Sequence, residues 1–539
     1  MVFGAGFDEG NVSGMLNSVR FQEHYGLDDP NKSPAEIANL EGNISSMVQI
    51  ACVGGALIAF TITDRIGRVW ALREMCLVWI TGVLLTITSD GNLSQLYAGR
   101  FIAGLGIGQS TVIGPTYLVE IAPRSIRGLC TCIFAGNVYF GIVFSYFANW
   151  GASMHISDRS DRQWIVPITV QIIFAGLNLL LSLVALESPR WLLKMGRTEL
   201  AERNMTELRG LPLTHPYVRA ELSDIRESIE RERESSMGTS VFGPLRELVL
   251  DPSSLYRLVL CLMVQFLGQW SGANSITIYA PQYFAMLGVK GQNEKLYATC
   301  IFGVVKLVAS LSCAFFLVDR FGRKRCLYSG LVLQLASMSY IALFLAVDAD
   351  TAASGAEQSA SQKAASTVGI AAIYLNGVAW ALGWNSVQYL INSEIFPLRT
   401  RALATSVIMC VHFANQYGNS KAVPTMLLPL ADGGMTKAGT MFFFAAVLVV
   451  GLSYVWFFLP ETAGRSLESM DALFSLPWYQ IGRKGRQHAA AHEAAAAAAD
   501  ALEAKLGFAD AEKAGLELTG AEKAGIERAE RVERARHEE

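Results

Sequence analysis

The chain has 539 residues, of which 52% are hydrophobic and only 17% are charged. The apolar residues are gathered in long runs, which excludes a soluble globular enzyme or binding domain. The formal net charge of −3 gives no indication of a nucleic-acid partner. The nine cysteines are scattered, with no paired spacing that predicts a metal site or a disulfide framework.

The apolar runs predict an all-α integral membrane protein. A run of about 18 or more residues with few charges is long enough to cross a bilayer as a helix. Eleven runs are long enough to be complete spans, and a shorter opening segment at about 3–22 is a twelfth candidate. The complete predicted spans are 43–63, 70–88, 93–117, 128–149, 166–186, 257–286, 296–318, 325–347, 368–391, 402–430 and 438–459.

Basic residues predict the orientation of these spans. The short connections at 64–73, 122–128, 319–325 and 397–401 are rich in Lys and Arg, and the opposing loops are poorer in both. Because Lys and Arg concentrate in cytoplasmic loops, these connections are predicted to be cytoplasmic. The 187–256 segment and both termini then face the cytoplasm as well.

The apolar region repeats itself once. DRIGR returns as DRFGR, EIAPRSIRG returns as EIFPLRTRA, and ESPRW has a counterpart in ETAGR. The glutamates that begin the last two motifs are 67 residues apart in each half, from Glu120 to Glu187 and from Glu394 to Glu461. Two halves of six helices in the same orientation are implied, an arrangement in which carriers hold substrate between the halves.

Four regions are predicted along the chain. The polar segment between the halves has apolar residues at three- and four-residue steps, which favours amphipathic cytoplasmic helices over a solvated linker. The Ala-, Glu-, Lys- and Arg-rich tail is typical of a partly formed, solvent-exposed helix. The regions are an N-terminal bundle at 1–186, a cytoplasmic helical linker at 187–256, a C-terminal bundle at 257–474 and a cytoplasmic tail at 475–539.

Eight motifs follow one another in a fixed order over residues 3–475. They are FGAGFDEGNVSG, DRIGR, GRFIAGLGIG, EIAPRSIRG, ESPRW, DRFGRK, SEIFPLRTRA and PETAGRSLE. In this order the chain resembles a sugar porter of the major facilitator superfamily, most closely the fungal branch for monosaccharides, polyols and acids. The resemblance implies the major facilitator fold, with twelve transmembrane helices in two six-helix halves and a cytoplasmic helical linker. It also implies an alternating-access carrier, either a proton symporter or a uniporter.

The first helix is partial by comparison with this family. Family members carry further apolar residues and a cytoplasmic tail before the GFDEG motif, whereas Met1 falls within the predicted helix here. A half-helix leaves backbone groups unsatisfied in lipid. We therefore expect that the gene model starts too late, with a genuine truncation as the alternative.

The resemblance assigns proton coupling to Asp8 and Arg100. Proton-coupled members pair an Asp of the first helix with an Arg that opens a glycine-rich fourth helix, and these two residues match those positions. A carboxylate inside a bundle is costly to ionise and a nearby guanidinium offsets that cost, so the pair can take up and release a proton. No cofactor is expected, and the proton is the coupling ion. A static ion pair is the alternative, and Glu9 has no family role.

The repeated charged motifs predict a cytoplasmic gate. Salt bridges across the inner ends of the helices would close the carrier inside and break when it opens. Charges that only set topology would explain the basic residues but not the repeated acids. The predicted gate residues are Asp64, Arg65, Arg68, Glu120, Arg127, Glu187, Asp319, Arg320, Arg323, Glu394, Arg401 and Glu461.

The substrate site is predicted between the halves. Amides supply the paired donors and acceptors that sugar hydroxyls need, and pyranose faces stack on aromatic rings. The segments 268–281 and 383–394 resemble the family's substrate-facing stretches of helices seven and ten, with several substitutions. The predicted substrate-binding residues are Asn137, Gln269, Asn274, Tyr279, Trp384, Asn385, Tyr389 and Asn415. Hydrogen bonding between helices is the alternative for each amide.

Helix five departs most from the family. Its two ligand-facing glutamines align with Ala135 and Ile142, and Asn137 and Tyr139 are the nearby candidates to replace them. Each lost amide removes a hydrogen bond with a net value of about 0.5–1.5 kcal/mol. The site is therefore not that of an ordinary glucose carrier.

Lys306 and His412 are the remaining ionisable residues at predicted mid-depth. Both are costly in a membrane and should face the bundle interior. Lys306 could attract an anionic substrate or pair structurally, and His412 could assist proton transfer or pair structurally.

These patterns predict a monomeric plasma-membrane carrier that moves a monosaccharide or related polyol by proton symport. Its partners are the solute and the lipid bilayer, with no nucleic acid. The alternatives are a carrier of an acidic ring compound such as quinate or a uronate, a non-transporting sugar sensor, and a nonfunctional product. An enzyme is not predicted, because the sequence has no nucleotide-binding loop, metal cluster or nucleophile–base arrangement.

Overall fold

The computed structural model of the protein describes residues 3–123, 127–236, 243–347, 359–385 and 398–461, with 388, 391–392, 395–396, 473–474 and 481. The side chains at 127–135, 231–236, 243–245, 318–319, 398–399 and 402 lie outside this description. Every regular element in the described ranges is helical, which confirms the all-α prediction. Seven helices there are long and apolar enough to cross a membrane: Pro34–Ile66, Arg68–Ile87, Arg162–Val184, Gln292–Leu317, Arg323–Val347, Ala360–Asn385 and Lys437–Phe457.

The N-terminal half of the bundle begins with a broken segment. Helix α1 (Phe3–Leu16) ends before α2 (Val19–Tyr25) begins, because Ser18 is extended, with φ −77° and ψ 124°. The prediction of one continuous segment over 3–22 was therefore wrong. The long helices that follow are α3 (Pro34–Ile66), α4 (Arg68–Ile87), α5 (Leu93–Ile121), α6 (Arg127–His155) and α7 (Arg162–Val184).

Helix α3 begins earlier than its apolar run predicts because a capping box starts it. The Ser33 hydroxyl accepts a hydrogen bond from the Glu36 amide (3.3 Å), and the Glu36 carboxylate accepts one from the Ser33 amide (2.8 Å). Pro34 at the first helical position has its backbone preset for a helix. The polar residues before the apolar run are therefore helical too.

Four short helices connect the two halves of the bundle. They are α8 (Pro189–Lys194), α9 (Thr198–Arg209), α10 (Pro216–Ser236) and α11 (Gly243–Leu250). The buried apolar residues of α8, α9 and α10 form one cluster: Trp191, Leu192, Leu193, Ala201, Met205, Val218, Leu222 and Ile229. This segment is therefore a packed set of amphipathic helices, as the sequence favours, and not a solvated linker.

An ion pair fixes these helices to the bundle. Arg209 holds Glu221 by two hydrogen bonds of 2.7 and 2.8 Å, and its Nη1 donates to the Ile121 carbonyl at the end of α5 (2.8 Å). The hydrogen bond to Glu221 raises the pKa of Arg209. Both side chains are 5% exposed, so the pair is anchored by burial as well as by charge.

The C-terminal half begins with a helix in three pieces, α12 (Pro252–Gln269), α13 (Ala273–Ile278) and α14 (Ala280–Met286). The first break falls at Gly272, whose φ of +85° favours glycine. The further helices are α15 (Gln292–Ser312) with a π-helical turn at Cys313–Leu317, α16 (Val318–Phe321), α17 (Arg323–Val347), α18 (Ala360–Trp380) with a π-helical turn at Ala381–Asn385, α19 (Leu398–Met426) and α20 (Lys437–Phe457).

Helix packing brings the two halves together. Within the first half α1 packs on α6 and α7, and α5 packs on α3 and α4; within the second, α17 packs on α18 and α12 on α19. Across the halves α3 packs on α19, and α6 on α15. A Cβ atom at Gly6 would lie 1.8 Å from the Val138 carbonyl oxygen, so a small residue there lets α1 approach α6 closely.

The alternating helices define two ends of the bundle. The linker end carries the α3–α4 turn at Gly67, the end of α5 and the short helices α8–α11. The opposite end carries the α4–α5 and α6–α7 connections. The described residues up to Val455 form one compact unit, and those from Trp456 onward belong to a second. The region boundaries at 186, 256 and 474 stay predictions.

Candidate functional site

The structure brings Asp8 and Arg100 together. Nη2 of Arg100 lies 3.7 Å from Oδ2 of Asp8, and their side chains are 3% and 6% exposed respectively. Nε of Arg100 donates a hydrogen bond of 2.8 Å to the Ile44 carbonyl on α3. The guanidinium is thus held by a backbone oxygen on one side and faces the carboxylate on the other. A buried acid beside a fixed cation is an arrangement that can exchange a proton.

Two further residues support Asp8. Nε2 of Gln171 on α7 donates to Oδ1 of Asp8 (3.2 Å), and Nε1 of Trp79 on α4 donates to Oε1 of Gln171 (3.1 Å). All three side chains are buried. Sequence reasoning missed this relay, because a single Gln or Trp in an apolar helix carries no signal of its partner. The carboxylate is oriented by α7 as well as by α5.

Lys306 on α15 lies in an aromatic chamber between the halves. Its side chain is buried, and Nζ donates a hydrogen bond of 2.6 Å to the Thr277 hydroxyl on α13. Nζ also lies 5.3 Å from the ring centroid of Tyr139 and 5.8 Å from those of Phe302 and Trp380. Ring faces within about 6 Å attract an ammonium group. The cation is therefore held by one hydroxyl and three aromatic faces.

Glu9 is the second acid of α1. It follows Asp8, is half-buried, and lies on a helix that packs on α13, which carries the Thr277 hydroxyl bonded to Lys306. Successive residues of a helix point about 100° apart. Asp8 therefore faces Arg100 within its own half, while Glu9 is directed to the second half.

Tyr139 and Asn385 connect the halves at the same chamber. The Tyr139 hydroxyl donates to Oδ1 of Asn385 (2.6 Å) and accepts a hydrogen bond from Nε1 of Trp380 (2.9 Å). Nδ2 of Asn385 donates to the Ser310 hydroxyl on α15 (3.0 Å). Asn385 and the second helix-five candidate, Tyr139, therefore lie together between the halves, and their role in substrate binding stays a prediction.

Asn137 does not join this chamber. It is exposed, on the face of α6 that also exposes Phe140 and Phe144, whereas Tyr139 and Tyr146 are buried on the other face. The helical period separates the two faces, so Asn137 does not lie with Tyr139, and its role in substrate binding stays a prediction. The side chain of Tyr389 lies outside the described residues.

Gln269 at the end of α12 faces His412 on α19. Nε2 of Gln269 lies 3.3 Å from Nδ1 of His412, and that nitrogen lies 2.8 Å from Oε1 of Gln265. Oε1 of Gln269 is buried without a hydrogen-bond partner among the described residues. An unpaired buried acceptor is costly and is a ready site for a solute hydroxyl.

Asn274 and Tyr279 lie on the broken helix. Nδ2 of Asn274 is buried without a partner in the described part of the chain. The Tyr279 hydroxyl donates to the Ser420 carbonyl (2.7 Å) and shares a hydrogen bond of 2.5 Å with the Ser45 hydroxyl on α3. Asn274 is therefore open to a solute, whereas Tyr279 is engaged in contact between the halves.

Trp384 and Asn415 are both engaged within the C-terminal half. The Trp384 ring is 1% exposed and packs on Gly268 and Gly451. Oδ1 of Asn415 accepts a hydrogen bond of 3.3 Å from Nε1 of Trp270. Four more amides have a buried atom without a hydrogen-bond partner among the described residues. They are Asn376 on α18, Asn419 on α19, and Gln388 and Asn392 from the sequence between these helices.

One group of contacts between the halves lies near the opposite end. They join α3 to the α13–α14 junction, to α14 and to α19. The pairs are Ser45 with Tyr279 at 2.5 Å, Asn39 with Lys421 at 2.6 Å, and Glu41 with Gln282. These hydrogen bonds must break for the halves to separate at that end.

At the linker end, Arg68 is the centre of the first predicted gate cluster. It holds Glu120 by two hydrogen bonds of 2.8 Å and Asp64 by an ion pair of 3.0 Å. The Glu187 carboxylate accepts hydrogen bonds from the backbone amides of Arg68 (2.9 Å) and Val69 (3.1 Å). Four predicted gate residues are thus brought together.

The remaining gate residues are less completely placed. Arg65 and Arg320 are exposed, and Arg323 is half-buried. Arg401 donates to the Phe396 carbonyl at 2.9 and 3.1 Å. Glu394 and the side chains of Arg127 and Asp319 lie outside the described residues, and Glu461 belongs to the second compact unit.

Comparison with known proteins identifies the family. The profile of the Sugar (and other) transporter family matches residues 2–474. A probable quinate permease of Neosartorya fischeri is 32% identical over 477 residues, which cover 87% of this chain and 84% of the relative. The quinate permease of Emericella nidulans is 32% identical over 474 residues, covering 87% and 85%.

Solved structures confirm the fold. The proton:xylose symporter XylE bound to 6-bromo-6-deoxy-D-glucose superposes with a TM-score of 0.68 at 22% identity, covering 88% of this chain and 97% of that one. An inward-open xylose transporter from E. coli gives 0.68 at 21%, covering 88% and 98%. These relatives are transporters and not enzymes. The chain belongs to the Sugar (and other) transporter family, among the sugar porters of the major facilitator superfamily.

Proposed function

We propose that the protein is a secondary active carrier that moves a monosaccharide or related polyol across the plasma membrane by alternating access, coupled to a proton. The Asp8–Arg100 pair carries this proposal, because its two side chains are buried and 3.7 Å apart. Protonation of Asp8 releases Arg100 from its counter-charge, and deprotonation restores the pair. A proton taken from one side and released to the other supplies the energy for uphill transport.

The solute site lies between the halves. Asn385, Gln269 and Asn274 present amides there, two of them with buried atoms that have no partner in the described residues. The hydrogen bonds near the opposite end form one gate, and the charged residues predicted at the linker end form the other. The carrier acts as a monomer without a cofactor, with both termini in the cytoplasm.

A carrier of an acidic ring compound is the second candidate function. The curated relatives at 31–32% identity are named quinate permeases, whereas the xylose symporter structures at 20–22% identity support the fold alone. The names favour a hydroxylated ring that carries a carboxylate. The amides and the proton site serve either solute.

Uptake into proteoliposomes tests the proposal. The purified chain is assayed with labelled glucose, xylose, myo-inositol and quinate, with and without an inward proton gradient. We expect gradient-driven accumulation of at least one solute, its loss in Asp8→Asn, and retention of solute exchange in that variant. The exposed Asp28→Asn serves as the matched control. Binding without exchange in the wild type would identify a sensor, and accumulation that survives in Asp8→Asn would refute the coupling role.

A further inference from the structure

We propose that Lys306 and the aromatic faces around it form a carboxylate-binding subsite, in which the carboxylate of a hydroxylated ring solute replaces Glu9 as the counter-charge. This inference rests on the second candidate function, a carrier of an acidic ring compound, and names the residues that would bind its carboxylate. It assigns roles to the two charged residues of the chamber that proton coupling through Asp8 does not use.

The surroundings of Lys306 leave its ammonium group able to bind an anion. An ammonium has three donors, and Thr277 supplies the one hydrogen-bond acceptor that the described part of the chain places within reach of Nζ. The rings of Tyr139, Phe302 and Trp380 stabilise the charge without accepting its protons in ordinary hydrogen bonds. A carboxylate oxygen is the acceptor that would complete the site.

Glu9 is suited to act as a replaceable counter-charge. A buried cation without an anion is costly, so the empty carrier needs a negative group near Lys306. Glu9 lies on α1, which packs on α13 next to Lys306, but no described carboxylate forms a salt bridge with Nζ within 4.0 Å. Glu9 therefore makes no direct ion pair with Lys306, and a solute carboxylate that hydrogen-bonds directly to Nζ can replace it.

The groups around the cation also explain why the solute would be a hydroxylated ring. The Tyr139 hydroxyl and the Asn385 amide adjoin the same rings and are bonded to each other at 2.6 Å, so a solute hydroxyl would have to insert between this donor and this acceptor. Trp380 and Phe302 flank the cation and would lie beside the ring of a solute whose carboxylate meets Nζ. A small inorganic anion would use only the cation and would leave these groups unused.

Equilibrium binding to the purified chain tests this subsite without requiring transport. The probes are quinate and quinamide, its neutral primary amide, which differ only in the charge of one group. We expect the wild type to bind quinate at least tenfold more tightly, because a charge-assisted hydrogen bond is worth at least a factor of ten. Lys306→Gln should lose this preference and keep its affinity for quinamide within about threefold.

Three variants complete the test. Lys306→Arg should retain the preference, and Lys295→Gln, on the same helix, is the matched control. Glu9→Gln should bind quinate more tightly than the wild type, because it removes the competing carboxylate. Wild-type protein without a preference for quinate, or a preference that persists in Lys306→Gln, would overturn the proposal. Weaker quinate binding in Glu9→Gln would overturn the role of Glu9.

The outcome is separable from that of the carrier proposal. Carboxylate-selective binding through Lys306 without gradient-driven accumulation would refute proton coupling and leave the subsite standing. Gradient-driven accumulation of a neutral sugar by a protein with no preference for quinate would refute the subsite and leave proton coupling standing.

Discussion

The Tyr139 hydroxyl donates a hydrogen bond of 2.6 Å to Oδ1 of Asn385, and this bond joins α6 of the N-terminal half to the π-helical turn that follows α18. The same hydroxyl accepts from Trp380. A buried bond between halves that must move apart contributes to the balance between conformations as well as to stability.

We expect Tyr139→Phe and Asn385→Ala to be coupled in a double-mutant cycle. Each change leaves a buried partner unpaired and should lower the free energy of unfolding by about 1–3 kcal/mol. The double variant should lose less than the sum, by about 0.5–3 kcal/mol, because both changes break the same bond. Unfolding in mixed detergent micelles measures these values.

Asn137→Ala provides the matched control for that cycle. Asn137 is exposed on the other face of α6, so its effect should add to that of Tyr139→Phe within about 0.5 kcal/mol. Additivity between Tyr139 and Asn385 instead would show that their bond contributes nothing measurable.

Gln171→Leu should impair proton coupling without removing Asp8. The change deletes the hydrogen bond of 3.2 Å to the Asp8 carboxylate, and bonds to charged groups contribute about 1.5–3 kcal/mol. We expect the initial rate of gradient-driven uptake to fall about tenfold, while solute exchange is kept. Asn178→Leu, on the same helix, is the control because its amide donates to the Phe174 carbonyl within α7. An unchanged driven rate in Gln171→Leu would contradict the positioning role.

The sequence predicted most of the helices because their apolar runs are long and bounded by charge. The segment predicted at 70–88 is α4 at Arg68–Ile87, and 438–459 is α20 at Lys437–Phe457. It predicted least well where polar residues continue a helix, as at the start of α3, or where an extended residue such as Ser18 interrupts one. Hydropathy carries no signal for either feature.

The Asp8–Arg100 pair could be predicted because the family resemblance matched both positions, and the two side chains lie 3.7 Å apart. The relay through Gln171 and the aromatic chamber around Lys306 depend on which helix faces meet, which a single sequence does not specify. Asn137 was predicted from a residue type that suits a sugar, and a single sequence does not show that it lies on another face of α6 than Tyr139.

Arg68→Gln should destabilise the linker end strongly. The Arg68 side chain is 6% exposed and that of Glu120 is 9% exposed, so the change leaves a buried carboxylate without its cation. Removing one partner of such a pair costs about 3–5 kcal/mol. The neighbouring Arg65→Gln removes an exposed charge and should change stability by about 0.5 kcal/mol or less. The free energy of unfolding is measured in mixed micelles. Equal losses in the two variants would show that the Arg68 ion pairs do not stabilise the linker end.

Gly272→Ala should disrupt the break in the seventh helix. Gly272 has φ +85°, where a Cβ atom adds strain of about 1–2 kcal/mol. That atom would also lie 2.6 Å from Cδ2 of Phe444, so the aromatic ring must shift. Because Asn274 lies two residues after Gly272, we expect both a lower unfolding temperature and weaker solute binding. Gly176→Ala is the matched control, since its Cβ would meet no atom within 4 Å and alanine favours a helix by about 0.5–1 kcal/mol. Wild-type binding and stability in Gly272→Ala would mean that the break tolerates a side chain and does not position Asn274.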